Sequence, residues 1–512
     1  PGVAGVPQAS TVPGVAGVAG ATPSADTAAP AATTGELVVV TTDLVKATFS
    51  SLGGSLVRLE LLKYRDSNDT RHNVVLFDNG GKHQYLAQSG LTVQSGSSPL
   101  NHLTPMTVVP GERTLAEGAG GVSLSFQSPV IDGHQLIKTF SFKRGDYAVT
   151  VKHEVVNQGT AAFSPQLYLQ LVRDGNAPEG ESSFYSTFTG PVLYNEASKY
   201  KKIDFKDIEK GKAEHDKSGN DGWVGIVQHY FASAWLVPAA GPREFRTAKV
   251  PGANNLYAIA MVLPLGEVAA GATKVHEAVL FAGPQEEKKL ATLAPGLEYL
   301  KDYGWLMPLS KPLFWLLDHL HQMIGNWGWA IVALVVLLKI AFYWLNAQAY
   351  KSMAKMKAIN PKVMELRERY KDKPQEMQKE MMRIYREEKV NPLGGCLPIL
   401  VQMPFFIALY WVLLSSVEMR NAPWIGWITD LSVKDPWFIL PVLMTLSSLA
   451  QVALGAKPPD PVQAKMMWIM PLAFGVMFFF FPAGLVLYWL TNNLLSIAQQ
   501  WYINKKLGVP NT

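Results

Sequence analysis

Five predominantly apolar stretches, at 326–346, 396–416, 437–455, 466–481 and 483–503, constrain this chain more than any other feature. Each approaches the roughly 20 residues a helix needs to cross a hydrocarbon layer about 30 Å thick. Inside lipid the backbone finds no water, so a segment there must satisfy its own N–H and C=O groups. A membrane bundle of five helical spans is therefore the expected fold of residues 326–507. The last two stretches are parted only by Phe481-Pro482-Ala483-Gly484, which predicts a tight hairpin.

Lys339 sits within the first of these runs, between Trp329 and Leu345, as its single charge. A lone ammonium at that depth costs roughly 2.5–3.5 kcal/mol on insertion scales. No Asp or Glu lies inside any other apolar run, so water is the expected compensation. Counted at about 1.5 Å per residue, Lys339, Gln402, Thr491 and Asn493 fall at a common level, with Ser447, Ser448, Gln451 and Asn492 beside them. The pattern predicts one hydrated cationic hollow, open to the cytoplasm and closed outside by Trp and Phe. Three simpler roles compete with it. Ser and Thr often bond their own helix, Gln402 and Asn493 are able to tie helices together, and Lys339 can snorkel towards water. Pro398, Pro404, Pro441 and Pro471 predict bent spans.

Loop charge sets the expected orientation. Segment 347–395 holds twelve Lys/Arg against seven Asp/Glu, whereas 417–436 carries only Arg420 and Lys434 against three acids. Segments 347–395 and 456–465 and the C-terminus are thus expected in the cytoplasm. Within 347–391, Met353, Met356, Ile359, Val363, Leu366 and Tyr370 recur at helical spacing. Asp372-Lys373-Pro374 interrupts them, and Met377, Met381, Ile384 and Tyr385 resume the pattern, which predicts a helical hairpin. Its outer faces carry Lys355, Lys357, Arg367 and Arg369 as a candidate docking surface, although a plain helix–helix seam is the preferred reading of the apolar stripe. Residues 296–324 mix apolar positions with Lys301, Asp302, Lys311, Asp318, His319 and His321, as expected of an amphipathic helix lying at the interface. A helix packed beneath the preceding domain is the alternative.

Residues 36–285 alternate with period two in runs such as 44–49, 135–142, 147–155, 230–237 and 256–262, separated by Gly/Asn/Asp turns. This predicts an antiparallel all-β sandwich. His134, His153, His229 and His276 show no metal-ligand spacing, and His276-Glu277 would point to opposite faces of a strand. No catalytic, metal or cofactor residue is therefore assigned. Asn68-Asp69-Thr70 reads as a chance sequon. Residues 1–35 repeat PGVAGV and read as a disordered linker. The chain begins at Pro1 without a Met, so a preceding anchor that exports the sandwich is expected. The single Cys396 excludes an intrachain disulfide.

Asn326-Trp327-Gly328, the mid-span cation, Ser352-Met353-Ala354-Lys355-Met356, Asn391-Pro392-Leu393-Gly394-Gly395-Cys396, Gln402-Met403-Pro404 and Phe481-Pro482-Ala483-Gly484-Leu485-Val486-Leu487-Tyr488-Trp489 together resemble the YidC/Oxa/Alb family of membrane insertases. In the β-rich part, Lys143-Arg144-Gly145-Asp146-Tyr147 and Tyr230-Phe231-Ala232 resemble the large periplasmic domain of its Gram-negative members. The resemblance implies a non-enzymatic insertase and chaperone of the inner membrane, acting alone or with the Sec translocon. It also implies a periplasmic β-supersandwich like galactose mutarotase. The family's groove cation is usually Arg. Lys339 keeps the charge but loses the bidentate fork, so charge and hydration would carry its role. The short tail after Trp501 argues against ribosome capture by a long basic tail.

These readings combine into one expectation. A nascent membrane protein docks on the basic hairpin, and its polar segment enters the groove at Lys339, Gln402, Thr491 and Asn493. Its apolar helix leaves along Met403, Phe406, Phe478, Tyr488 and Trp489 into the lipid bilayer. Nucleic acid is not expected as a substrate. A small-solute or ion transporter is the rival, disfavoured because the spans hold no carboxylate for a relay and show no repeat.

Overall fold

The computed structural model describes residues 35–506, apart from 67–68, 81–82, 94–95, 99, 179–186, 389–396 and 456–460. The linker, the sequon asparagine, the Asn391–Cys396 motif and the first half of the 456–465 loop lie outside the described residues. The chain divides into two compact units, which meet in sequence at Lys301 and Asp302.

The first unit is all-β. A ten-stranded sheet runs in the order Leu37–Thr41, Val45–Ser50, Ser55–Arg65, Asn73–Asn79, Gln84–Val93, Pro165–Asp174, Leu256–Pro264, Arg243–Lys249 and Ser218–Gly219, with Gly96–Ser97 beside Gln84–Val93. A nine-stranded sheet runs Lys199–Lys202, Gly190–Asn195, Trp223–Val227, Phe231–Leu236, Thr273–Pro284, Ala148–Asn157, His134–Lys143, Gly121–Gln127 and Thr107–Val108. Strand neighbours are antiparallel, as in the register Val151↔Phe140 and Val151↔Ala278. The expected alternation is present: Val149, Val151, His153 and Val155 are buried on one strand while Thr150, Lys152 and Glu154 are not. Gly53 and Gly54, at φ +66° and +56°, make the turn after Val45–Ser50, where a side chain would be strained. The two sheets meet through Phe49, whose ring lies 4.6 Å from Phe140 and 6.0 Å from Phe126, and through Trp235, whose Nε1 donates to Gln170 O at 3.1 Å. Each such buried apolar side chain contributes roughly 1.5–3 kcal/mol. Two short helices, α1 (Phe205–Glu209) and α2 (Glu287–Leu293), complete the unit.

The second unit is helical: α3 (Met307–Ile324), α4 (Trp327–Ala341), α5 (Tyr343–Arg369), α6 (Pro374–Glu387), α7 (Leu397–Ser415), α8 (Ile439–Leu454), α9 (Pro461–Phe478) and α10 (Ala483–Lys506). Three expectations change. The amphipathic segment 296–324 is not one helix. Gly296 and Gly304 adopt φ +72° and +64°, and only short 3-10 turns precede Met307. Helix α3 then packs Leu313, Phe314 and Leu317 inwards and bonds Ser310 Oγ to Ala408 O on α7, leaving Trp315 and Met323 exposed.

The first apolar stretch is also broken. It ends at Ala341 and resumes at Tyr343 with a 69° bend. No Pro or Gly lies at the break, where Phe342 meets Phe405 of α7 edge-on at 5.0 Å. Among the described residues no single helix is both long and apolar enough to cross a bilayer, while α4 and α5 together pass that test.

Finally, the turn at 479–482 is tight, but α9, which touches α10 through Phe478 and Trp489, has another helix as its main neighbour. It lies along α8, where Gly475 admits Thr445 so closely that a Cβ would overlap it. Helix α10 takes α8 and α4 as neighbours instead, and its start is pinned by Ala483 N and Gly484 N donating to Val433 O and Leu431 O at 2.7 and 2.9 Å.

Segment 417–438 is rigidly organised. The buried Asp435 carboxylate accepts from Trp427 Nε1, Trp437 N and Leu440 N at 2.9, 3.0 and 2.7 Å, and the Trp427 and Trp437 rings stack. Asn326 caps α4 by accepting from Trp329 N at 3.1 Å and donates to Pro423 O and Trp424 O. Gly328 lies so close to the Trp424 ring that a Cβ would overlap it.

Candidate functional site

Lys339 occupies the last turn of α4, and its Nζ donates to Ser496 Oγ on α10 at 2.7 Å. Ser496 in turn donates to Asn492 O, and Tyr350 of α5 also hydrogen-bonds Ser496. The ammonium is half-buried. Among the described residues it has no carboxylate within ion-pair distance. Its charge is solvated by a hydroxyl rather than neutralised.

The other expected polar residues separate. Asn493 is buried and donates from Nδ2 to Ser447 Oγ and Ser448 Oγ of α8 at 3.1 and 2.8 Å. It lies three residues before Ser496, on the same face of α10. Gln402 instead faces α5, where its Nε2 donates to Asn346 Oδ1 at 2.7 Å. Thr491 joins neither group: its hydroxyl donates to Leu487 O at 2.8 Å, because a threonine can always satisfy itself on the preceding helical turn. Sequence reasoning missed Ser496 and Asn346. The available signals were their spacings, three residues beyond Asn493 and seven beyond Lys339.

The expected apolar walls form an aromatic stack. Phe406 lies 4.4 Å from Trp489 and 5.6 Å from Tyr488, and Phe478 lies 4.9 Å from Trp489 and 5.5 Å from Phe481. Phe478 and Tyr488 are only 2% and 6% exposed, so they support the wall from behind, because this stack fills the space between α7, α9 and α10. Met403 is 44% exposed and presents surface outwards.

The helical hairpin α5–α6 turns where expected, with Ile359 and Val363 buried along its seam. Lys355 and Arg369 are exposed, while Lys357 and Arg367 are partly covered. Glu365 lies 3.5 Å from Arg369, and Lys362 pairs with Glu388 at 2.6 Å, so acids offset part of the basic face.

The sandwich holds a polar seam of its own. Lys138 is fully buried and donates to Gly53 O and Ser89 O at 2.6 and 2.5 Å. Ser89 Oγ lies 2.9 Å from His153 Nε2, and His153 faces His276 across adjacent strands, a juxtaposition invisible in the sequence. Burial depresses the Lys138 pKa to about 7. Burial, then the Lys138 charge, holds His153 well below its ordinary value. Among the described residues no three His, Cys, Asp or Glu side chains gather as a metal site.

An apolar helical unit carrying a half-buried, unneutralised cation, linked to an all-β unit, suits a membrane protein with a folded β domain. Residues 37–316 match the family model described as YidC periplasmic domain, and residues 319–509 match 60Kd inner membrane protein. The membrane protein insertase YidC of Cupriavidus necator is 55% identical over 503 residues, covering 98% of this chain and 88% of that protein. The chain belongs to the YidC family of inner-membrane protein insertases. Among solved structures, an active YidC insertase with its first transmembrane domain resolved matches at 18% identity and a TM-score of 0.40, covering 92% of this chain and 95% of the other. A galactose mutarotase related enzyme from Lactobacillus acidophilus matches at 9% identity and a TM-score of 0.34, covering 48% and 97%. The all-β assignment rests on the sheets described above.

Proposed function

We propose that this membrane protein insertase works through a cationic hydrated groove centred on Lys339. The observation that carries the reading is an ammonium between apolar helices whose partner is a neutral hydroxyl, Ser496. A charge so placed attracts acidic residues of a short polar segment, and the polar residues of α7, α8 and α10 let water accompany it. The substrate's apolar helix passes Met403, Phe406 and Trp489 into lipid, and burial of its surface, at roughly 25 cal/mol per Å², drives the step. The chain lowers the barrier by shortening the apolar distance that the polar segment crosses.

In this reading the sandwich is periplasmic, the α5–α6 hairpin and C-terminus are cytoplasmic, and Lys355, Lys357, Arg367 and Arg369 receive nascent chains. Cooperation with the Sec translocon belongs to the same proposal, and a ribosome contact would be weak. The amphipathic α3 lies at the membrane interface through Trp315.

The test is Lys339→Ala in proteoliposomes, using single-span substrates with acidic or neutral short tails. Insertion of acidic tails falls at least ten-fold, and Lys339→Arg restores it. Undiminished insertion of acidic tails by the alanine variant refutes the role of the charge.

A further inference from the structure

Asn346 is 5% exposed, and its Nδ2 has no hydrogen-bond partner among the described residues. Its Oδ1 is occupied, accepting from Gln402 Nε2 at 2.7 Å. Buried amide donors are rarely left unmade, because burial forfeits their bonds to water. Its own backbone is satisfied, since Asn346 N donates to Phe342 O at 3.0 Å. The orphan is therefore the side chain alone.

Asn346 stands seven residues beyond Lys339, just past the 69° bend that turns α4 into α5. Gln402 is half-buried, and after its bond to Asn346 it retains a second amide hydrogen and its Oε1. The two side chains thus offer donors and an acceptor side by side, without charge. That combination complements a peptide unit, which presents one C=O and one N–H.

We infer that Asn346 and Gln402 form a main-chain recognition site for the polar segment of a substrate in transit, with Asn346 Nδ2 donating to a backbone carbonyl. The inference rests on the groove reading but divides the labour within it. Lys339 reads side-chain charge, while the amide pair holds any extended chain whatever its sequence. A segment crossing a partly dry region must bond its backbone groups somewhere, and a neutral pair supplies this without favouring one substrate.

The experiment compares Asn346→Leu, Asn346→Asp and Gln402→Leu in the full chain reconstituted in proteoliposomes. The substrates are single-span proteins with either neutral or acidic short tails. Asn346→Leu slows insertion of both by about five-fold, the worth of one neutral hydrogen bond. Gln402→Leu does the same, and the double variant adds little because the pair acts as a unit. Thermal unfolding supplies the control: Asn346→Leu gives up one hydrogen bond to the half-buried Gln402 but also removes a buried donor left unmade, so the melting temperature stays nearly unchanged. Asn346→Asp, which removes the donor, slows acidic tails more than neutral ones.

Three results overturn the inference. Insertion by Asn346→Leu is undiminished, or the loss is confined to acidic tails, or the melting temperature falls along with activity, which would make the pair interhelical glue. Failure of the Lys339 test leaves these outcomes readable, because neutral tails do not depend on its charge.

Discussion

Lys138 in the sandwich and Lys339 in the helical unit are both withdrawn from water, yet they are treated oppositely. Lys138 is fully buried, with two carbonyls close around its ammonium. Lys339 is half-buried and has one hydroxyl. The sandwich uses its cation to bind one sheet to the other, so removing it breaks architecture. The helical unit leaves its cation with unspent hydrogen-bonding capacity among the described residues, so under the proposed groove its removal should break function while the helices remain. A buried charge that is well satisfied serves structure. One that is poorly satisfied is, in the proposed groove, left available to a substrate.

The sharpest way to break this comparison is to truncate both lysines. Lys138→Ala leaves two buried carbonyls unpaired and a cavity, and should cost the sandwich about 3–5 kcal/mol in urea unfolding of the full chain. Lys339→Ala should leave unfolding of the helical unit nearly unchanged. Equal destabilisation by both would erase the distinction.

Next in size is Gly328→Ala, whose Cβ would enter the Trp424 ring and force α4 away from segment 417–438. About 1–3 kcal/mol is expected, measured as thermal unfolding in detergent. An unchanged midpoint would show that this segment yields easily.

The pH dependence of the sandwich sharpens the comparison further. The folded Lys138 pKa of about 7 lies below the ordinary 10.5, so between these values the unfolded chain binds more protons. Stability of the sandwich should therefore rise with pH across that window, with no slope from this lysine below about 7. His153, also depressed, adds a loss as pH falls below about 6.5, where only the unfolded chain takes up its proton. A profile flat from pH 6 to 9.5 would mean that water reaches Lys138.

The smallest effect is expected at the hairpin surface. Lys362 and Glu388 approach to 2.6 Å, but their side chains are 63% and 39% exposed. Glu388→Gln should leave unfolding unmoved, since the solvent screens such a pair.

Much of the fold is legible in the sequence because side-chain periodicity is local. Period-two alternation located strands such as Ala148–Asn157, and Asp372-Lys373-Pro374 located the break between α5 and α6. The candidate site was legible only in its loudest member. Lys339 announces itself because a charge inside an apolar run is costly wherever the run packs. Gln402, Thr491 and Asn493 share a depth, but depth does not specify a facing direction. The structure sends Thr491 to its own helix, Gln402 to α5 and Asn493 to α8.

Sequence alone determined the division into a β-rich part and an apolar helical part, together with the anomalous lysine, because burial and hydrogen-bonding demands act residue by residue. Tertiary structure alone decided that α9 lies along α8, that the first apolar stretch bends at Phe342, and that Ser496 and Asn346 become partners of Lys339 and Gln402. Those outcomes depend on which helices meet and at what rotation. Packing between elements sets both, and no local pattern along one element encodes the neighbour it will find.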